Sequence, residues 1–195
     1  MLKRGRIKYC IFVPQVCVRK MDYIWHYDSP LGGMTMASDG QALIGLWFDG
    51  QKHFGEVLDS GYEECFLPVF DQTCRWLAIY FSGKVPDFIP AISLRASAFR
   101  KRVLKILLTI PYGQTMTYGQ IAARIAQESG MERMSAQAVG TAVGHNPISI
   151  IIPCHRVTGS AGRPGGYAAG LKTKSALLQL ERGSIQDELA ASGPV

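Results

Sequence analysis

The sequence contains no stretch that is long and apolar enough to span a membrane, so we predict that the protein is not embedded in one. Its five cysteines, at positions 10, 17, 65, 74 and 154, include no CxxC pair and no group with zinc-finger spacing. We therefore predict no metal site. An odd number of cysteines without a disulfide framework fits a reducing cytoplasm better than secretion, and we expect a cytoplasmic protein.

Acidic residues are scarce in the second half of the chain. Residues 95–185 carry twelve Lys or Arg and three Glu, a net charge of +9, whereas residues 21–94 carry three Lys or Arg and ten Asp or Glu, a net charge of −7. A basic unit fits a polyanionic partner, although a solvated charged surface gives the same composition. With 195 residues, 47% of them hydrophobic, the chain can bury a real core as one domain or two small ones.

Residues 1–20 share only some features of a signal peptide. Basic residues precede a short apolar run, but that run contains Pro14 and Gln15 and ends in Arg19-Lys20 without a small-residue cleavage site. We interpret the segment as an N-terminal extension, and Met21 is an equally good candidate for the functional start.

Alternating apolar residues predict three strands, at residues 23–27, 34–37 and 42–48, with glycine-containing turns between them. Apolar residues at helical spacing then predict a helix over 68–81. The two prolines of residues 84–94 indicate a linker.

The second half of the chain has the pattern of short helices. Ser97, Thr117 and Ser135 are typical N-caps for helices over 98–108, 118–126 and 136–144, and a final amphipathic helix is predicted over 171–180. Two short helices joined by a turn indicate helix-turn-helix geometry. The helix over 136–144 carries mostly small side chains, which allow close approach to a nucleic-acid groove, although tight internal packing is the commoner explanation.

The most informative stretch is Ile150 to Val157. Its branched apolar residues predict a buried strand over 150–152 that Pro153 ends. A thiol, an imidazole and a guanidinium follow at Cys154, His155 and Arg156, and a neighbouring base or cation lowers the pKa of a thiol. On these residues alone a structural buried cysteine is slightly favoured over a nucleophile.

Several motifs together change that balance. The chain resembles the O6-alkylguanine-DNA alkyltransferases, also called methylated-DNA–protein-cysteine methyltransferases, over about residues 22–182. The motifs that carry the resemblance are Pro153-Cys154-His155-Arg156-Val157, Ile110-Pro111-Tyr112-Gly113, Thr117-Tyr118-Gly119-Gln120, Ala138-Val139-Gly140, Asn146-Pro147, Gly166-Tyr167, Leu177-Leu178 with Glu181, Ser29-Pro30-Leu31-Gly32 and Gly45-Leu46-Trp47-Phe48.

The element pattern and the resemblance together predict an α/β (α+β) fold. Residues 21–94 form a small N-terminal domain of antiparallel sheet with a helix. Residues 95–185 form a mostly helical, winged-helix-like domain that contains the helix-turn-helix and the active-site cysteine, and residues 186–195 form a tail.

The resemblance implies direct-reversal DNA repair without a cofactor. A monomer binds double-stranded DNA containing O6-alkylguanine through the minor groove, flips the damaged base, and transfers the alkyl group from guanine O6, or from thymine O4, to a cysteine, once per molecule. Cys154 is the implied nucleophile and alkyl acceptor. His155 is the implied base, acting through a water, and Glu181 orients the imidazole. Arg156 is a structural anchor, and adjacent Cys154 and His155 are expected on a turn.

Further roles are implied around this cysteine. Tyr118 donates a proton toward guanine, and Asn146 is a structural hinge between helix and loop, while Val157, Tyr167 and Ala168 form the substrate pocket. From their positions alone, Tyr118 is also typical of an amphipathic helix and a core role for Tyr167 is nearly as well supported. Asn146 is also typical of a plain helix terminator, and Glu181 by itself of a surface helix carboxylate.

DNA contacts are implied for Thr117, Ala136, Gln137, Ala138 and Gly140. Gln137 is a departure, because family members commonly carry an arginine there that fills the gap left by the flipped base. Glutamine still hydrogen-bonds an orphaned base but lacks the charge and the stacking plane of arginine. The loop 127–134 is also longer than the family's tight turn, and Ala168 stands where serine is frequent.

Three other functions compete with repair. A non-catalytic sensor of alkylated DNA shares the fold but lacks the acceptor cysteine. A helix-turn-helix regulator would need side chains that read bases, and the helix over 136–144 has few. A Cys-His hydrolase would need an oxyanion site, which the sequence does not identify.

Overall fold

The computed structural model describes residues 21–59 and 61–191, so the predicted extension 1–20 lies outside the described residues. The N-terminal sheet is built from β1 (Asp22–Ser29), β2 (Gly32–Ser38), β3 (Leu43–Phe48) and β4 (Tyr62–Glu64). The strand order is β3-β2-β1-β4. β1, β2 and β3 form an antiparallel meander, and β4 pairs in parallel with β1.

Helices dominate the rest of the chain. The elements are α1 (Pro68–Phe81), α2 (Ala98–Leu107), β5 (Met116–Thr117), α3 (Tyr118–Glu128), α4 (Ala136–Gly144), β6 (Val157–Thr158) and α5 (Leu171–Ala191). β5 and β6 are two-residue strands that pair in parallel. Within the described residues, none of the helices combines the length and the apolar character needed to cross a bilayer.

Local capping signals are confirmed where they were predicted. The Ser97 hydroxyl accepts a hydrogen bond from the backbone of Arg100, and the Ser135 hydroxyl accepts one from Ala138. Thr117 and Gln120 form a reciprocal capping box at the start of α3. These bonds satisfy backbone N–H groups that a helix N-terminus leaves without partners, and they set where each helix begins.

The sequence pattern did not predict the strand β4, and it predicted the helices α3 and α5 too short. All three residues of β4 are exposed, so the strand has no buried alternation to mark it. α3 runs two residues beyond its predicted end, and α5 continues past the predicted end at 180, to Ala191. α5 continues because no helix-breaking residue follows Leu180 directly.

One apolar core joins the sheet to the helices. Met36 and Leu46 of the sheet are buried in the same cluster as Leu77 of α1, Leu104 of α2 and Ile121 of α3. Burying an aliphatic side chain of this size contributes about 1.5–3 kcal/mol. The core therefore holds the sheet and these helices in fixed positions, and with them the ends of the loops that connect them.

The outer edge of β3 holds two later segments of the chain. The backbone of Leu43 bonds to Ala91 and Ser93, so the predicted linker 84–94 is in part tied to the sheet. Three residues further along, the N–H of Leu46 donates to the carbonyl of Pro147 at 2.8 Å. The carbonyl of Leu46 accepts from Ser149 at 2.8 Å. The segment that leads to Cys154 is thus attached to the N-terminal sheet.

This architecture confirms the α/β fold class, with an antiparallel N-terminal sheet followed by a helical C-terminal part. The predicted domain boundaries at residues 21, 95 and 186 remain predictions.

Candidate active site

Asn146 organises the loop between α4 and Cys154. It lies one residue after the C-cap His145, and its side chain is buried. Its Nδ2 donates to the carbonyls of Ile148 and Ile152 at 3.1 and 2.8 Å, while its Oδ1 accepts from the N–H of Ile148. Because one side chain serves both ends of the loop, the loop folds around it.

The predicted strand over 150–152 is wrong. These residues form buried turns instead, and Ile150 has a φ of 67°, a left-handed conformation that a β-branched residue rarely adopts. Branched apolar residues report burial here, whereas the hydrogen bonds of the segment go to Asn146 and to nearby carbonyls rather than to a ladder. The strain at Ile150 lies four residues before the cysteine, and such strain is frequent at functional sites.

Cys154 begins a short 3-10 helix that ends at Arg156, which confirms the expected turn. Its Sγ accepts a hydrogen bond from Asn146 Nδ2 at 3.0 Å, and the residue is 5% exposed. Burial raises the pKa of the thiol, while the Asn146 hydrogen bond and the charge of Lys174 act in the opposite direction. The resting group is therefore a thiol that needs a proton acceptor.

His155 and Glu181 form a fully buried pair. Nε2 of His155 lies 2.7 Å from Oε1 of Glu181. Burial, together with the charges of Arg156 and Lys174, lowers the pKa of His155, although the hydrogen bond and charge of Glu181 act to raise it. Burial alone would raise the pKa of Glu181, but hydrogen bonds and charge from His155 and Arg156 lower it to about 2.

The lowered pKa values of His155 and Glu181 together assign the tautomer of His155. An ionised carboxylate only accepts hydrogen bonds, so Nε2 of the neutral imidazole carries the proton and donates a hydrogen bond to Glu181. Nδ1 then holds the free lone pair. Among the described residues, this buried nitrogen has no hydrogen-bond partner. The ring is therefore set to accept a proton at Nδ1.

Three further groups fix the Glu181 carboxylate. Arg156 donates from Nε and Nη2 at 3.0 Å to its two oxygens and also donates to the carbonyl of Ile110. The N–H of Gly113 donates to Oε2 at 2.9 Å. The Tyr80 hydroxyl donates to Oε1 at 2.7 Å. Arg156 thus has the geometry of the predicted anchor.

Sequence reasoning missed Tyr80 and Lys174. Tyr80 looked like one more apolar residue on α1, because its partner Glu181 is 101 positions away. Lys174 is 1% exposed, and its Nζ donates to the carbonyls of Val157 and Gly165 at 2.5 and 3.2 Å. A signal for Lys174 did exist: it lies seven residues before Glu181, so both share one face of α5.

A pocket of about 280 Å³ opens beside the thiol. Its wall is formed by Lys52, His53, Tyr118, Gly140, Val143, Gly144, Cys154, Gly166, Tyr167 and Ala168. Two predicted pocket residues, Tyr167 and Ala168, are in this wall. Val157 is not: it is fully buried in the core and contributes its carbonyl to Lys174.

Tyr118 lines this pocket and lies beside Gly140 of α4. Burial, and to a smaller extent the nearby Cys154, raise the pKa of Tyr118, so its hydroxyl stays a donor at neutral pH. A Cβ at Gly165 would come within 2.5 Å of the Tyr118 hydroxyl, and one at Gly140 would come within 3.8 Å of the ring. Gly165 is therefore required for the tyrosine to occupy this position.

A shallow groove runs from the pocket along α4. It is lined by Tyr118, Gly119, Ala136, Gln137, Gly140, Thr141, Ser160 and Gly166. Three of the five predicted DNA-contact residues lie in it: Ala136, Gln137 and Gly140. Ala136 and Gln137 are exposed, whereas Ala138 and Thr117 are partly buried and lie outside the lining. The groove is continuous with the pocket through Tyr118, Gly140 and Gly166, which line both.

Comparison with known proteins identifies the family. Two family models match: 6-O-methylguanine DNA methyltransferase, ribonuclease-like domain, over residues 23–93, and 6-O-methylguanine DNA methyltransferase, DNA binding domain, over residues 98–183. A Mycobacterium bovis protein named methylated-DNA–protein-cysteine methyltransferase is 40% identical over 173 residues, covering 84% of this chain and 96% of the relative. A Methanosarcina acetivorans protein of the same name is 39% identical over 155 residues, covering 80% and 95%.

Solved structures agree with this result. The crystal structure of Mycobacterium tuberculosis OGT in complex with DNA matches with a TM-score of 0.70 and 38% identity, over 84% of this chain and 94% of that one. The crystal structure of the M. tuberculosis O6-methylguanine methyltransferase matches with a TM-score of 0.71 and 39% identity. The family implied by the sequence motifs is confirmed, and the chain belongs to the 6-O-methylguanine DNA methyltransferase family.

Proposed function

We propose that the protein is a methylated-DNA–protein-cysteine methyltransferase that repairs double-stranded DNA by direct reversal. It transfers a methyl or larger alkyl group from O6 of guanine, and from O4 of thymine, to Cys154. The observation that carries this proposal is the position of the thiol, in the wall of a pocket and one residue before the buried His155–Glu181 pair. The names of the relatives support it.

The chemistry begins with removal of the thiol proton. Nδ1 of His155 takes it through a water, and Glu181 stabilises the resulting imidazolium while it holds the ring in place. Arg156 and Tyr80 keep the carboxylate fixed, so they are positioning residues. The sulfur then attacks the alkyl carbon, the S–C bond forms as the C–O6 bond breaks, and guanine leaves with the electron pair of that bond.

The leaving guanine must be stabilised as negative charge develops on it. The Tyr118 hydroxyl donates toward the ring. The guanine takes up one proton as it becomes neutral, and this balances the one proton that the thiol loses. Cys154 ends as a thioether. No step of this reaction returns it to a thiol, so each molecule acts once.

DNA enters along the groove of α4. The pair α3 and α4 serves as the helix-turn-helix, and the small residues Ala136 and Gly140 let the helix backbone approach the minor groove. The target atom is inaccessible inside a base stack, so the alkylated base is flipped into the pocket beside Cys154. Gln137, exposed on α4, occupies the place of the flipped base. Thr117 and Ala138 support this surface from outside the groove lining.

Charge supplies most of the affinity. The net charge of +9 on residues 95–185 favours phosphate contacts, which makes binding dependent on salt. We expect a monomer in the cytoplasm, acting without a cofactor. A non-catalytic sensor is disfavoured by the presence of Cys154, and a sequence-reading regulator by the few side chains that α4 offers to bases.

Mass spectrometry after incubation with duplex DNA containing O6-methylguanine tests the proposal. We expect one methyl adduct on Cys154, in an amount no greater than that of the protein, and no further turnover. Cys154→Ala should lose transfer and keep duplex binding nearly intact. An unmodified Cys154 in the presence of excess substrate would contradict transfer, and equal loss of binding in the variant would make the cysteine structural.

A further inference from the structure

A second cluster of chemically active side chains lies beside the pocket. His53 and Glu56 belong to the loop after β3, and His145 is the C-cap of α4. Nδ1 of His53 lies 2.5 Å from Oε1 of Glu56, and Nδ1 of His145 lies 3.2 Å from Oε2. One ligand atom from each of the three residues lies within 4.8 Å of the others. Two imidazoles therefore converge on one carboxylate.

Packing alone does not account for this arrangement. The side chains of His53, Glu56 and His145 are 33%, 48% and 25% exposed, so solvent and ions reach them. The two imidazole rings face each other with their centroids 3.7 Å apart. His53 also has a φ of 63°, in the left-handed region that non-glycine residues seldom adopt. A strained backbone that brings a polar side chain to a shared, open position is characteristic of binding sites.

We propose that His53, Glu56 and His145 form a binding site for a zinc ion or a similar borderline divalent cation. Two imidazoles and one carboxylate are one of the ligand sets that zinc takes in sites with three protein ligands, where a fourth position stays open to water. Calcium and magnesium prefer sites made of oxygen atoms alone. The chemistry of the three side chains therefore selects against them.

One contact of this cluster already has the spacing that zinc requires, whereas the 2.5 Å between Nδ1 of His53 and Oε1 of Glu56 must widen for an ion to bind. Ligand atoms about 2.0–2.1 Å from a tetrahedral zinc are roughly 3.3 Å from one another. The 3.2 Å separation between Glu56 and His145 already matches that value. His53 and Glu56 are three residues apart in one loop, so two of the three ligands come from one short segment. His145 is the third ligand and comes from the end of α4.

The position of the site gives it a consequence for the pocket. His53 lines the pocket beside Cys154, and His145 precedes Asn146, whose side chain contacts the thiol. A bound ion joins the loop after β3 to the end of α4 and so holds two sides of the pocket together. Cysteine spacing predicted no metal, and this site was invisible to that reasoning because it uses no cysteine and joins residues 89 positions apart.

Zinc binding to the full chain is the direct test. Equilibrium dialysis should show a site whose affinity falls in His145→Ala and in Glu56→Gln by more than the roughly 10- to 100-fold that loss of an outer-shell partner costs. His26→Ala is the matched control, because it removes an exposed imidazole from β1 and should leave this affinity unchanged. Magnesium should not compete.

Two further measurements distinguish zinc binding at this site from zinc binding by cysteines, and distinguish a lost ligand from an unfolded variant. Cobalt bound at the site should lack the sulfur-to-cobalt charge-transfer band that thiolate ligands give. Zinc should raise the Tm of the wild type and of His26→Ala but not of Glu56→Gln, whose far-ultraviolet circular dichroism should match the wild type. Equal zinc affinity in wild type and His145→Ala, no zinc binding, or a thiolate band at the tightest site would each overturn the proposal.

Discussion

Oε1 of Glu181 lies 2.7 Å from Nε2 of His155, and neither side chain is exposed to solvent. The carboxylate also accepts from Arg156, Tyr80 and the backbone of Gly113. A buried charge with this many donors is stable only while all of them remain paired. The pair is therefore part of the fold as well as of the proposed chemistry.

Glu181→Gln should weaken both folding and transfer. The amide cannot balance the charge of Arg156, and its NH₂ group meets donors where the carboxylate had acceptors. Breaking one side of a buried ion pair costs about 3–5 kcal/mol, which urea denaturation measures. Glu128→Gln is the matched control, since Glu128 pairs with Arg124 at the surface and its loss should cost at most about 1 kcal/mol. Equal losses in the two variants would contradict the prediction.

Stability should fall on acidification in two stages. The folded pKa of His155 lies below its ordinary value of 6.5, so the unfolded chain takes up a proton first and stability declines as pH falls below 6.5. The folded pKa of Glu181 is about 2 against an ordinary 4.5, so its contribution is present above 4.5 and is lost as pH falls toward 2. The free energy of unfolding should therefore fall from pH 7 to 5 more steeply in wild type than in His155→Gln. Parallel curves would contradict this.

Lys174→Met should slow alkyl transfer by raising the pKa of the thiol. The charge of Lys174 lowers the pKa of Cys154, and each unit of increase reduces the thiolate population about tenfold at a fixed pH below it. The rate of alkylation by iodoacetamide as a function of pH measures that pKa. Lys172→Met is the control, because Lys172 is on the same helix and exposed. A thiol pKa unchanged in Lys174→Met would rule out the electrostatic role.

Gln137→Arg should tighten binding to duplex DNA that contains an alkylated guanine. An arginine at this exposed position of α4 adds a planar cation that stacks in the place of a flipped base. Gln127→Arg adds the same charge at the exposed end of α3 and controls for a purely electrostatic gain. Fluorescence anisotropy with alkylated and unmodified duplexes should show a larger gain for Gln137→Arg on the alkylated one. Similar gains for both variants would mean that another residue fills the stack.

Features set by neighbouring residues were predictable from the sequence. Ser135 and the pair Asn146-Pro147 bracket α4 correctly, because capping and the restriction before proline act within a few residues. The run Ile150 to Ile152 was misread because its apolar side chains indicate burial, whereas its backbone conformation depends on the side chain of Asn146.

The site itself was predictable only in part. Cys154 and His155 are adjacent and visible in one motif, but Glu181 by itself looked like a surface carboxylate and needed the family resemblance to stand out. Tyr80 and Lys174 act through partners that are distant in the sequence or on the backbone, and no local pattern encodes such contacts. The cluster of His53, Glu56 and His145 is hidden for the same reason.

The two hydrogen bonds at Leu46 make the position of the Cys154 thiol depend on the number of residues in a strand far upstream of it. Because main-chain atoms form these bonds, the side chain at position 46 is not what they recognise, and a substitution there leaves them available. Deleting one residue within β3 is different: it shifts the strand by about 3.3 Å and exchanges its two faces. Such a deletion would displace the loop that contains Asn146. The position of Cys154 is therefore far less sensitive to which residues form β3 than to how many residues β3 contains.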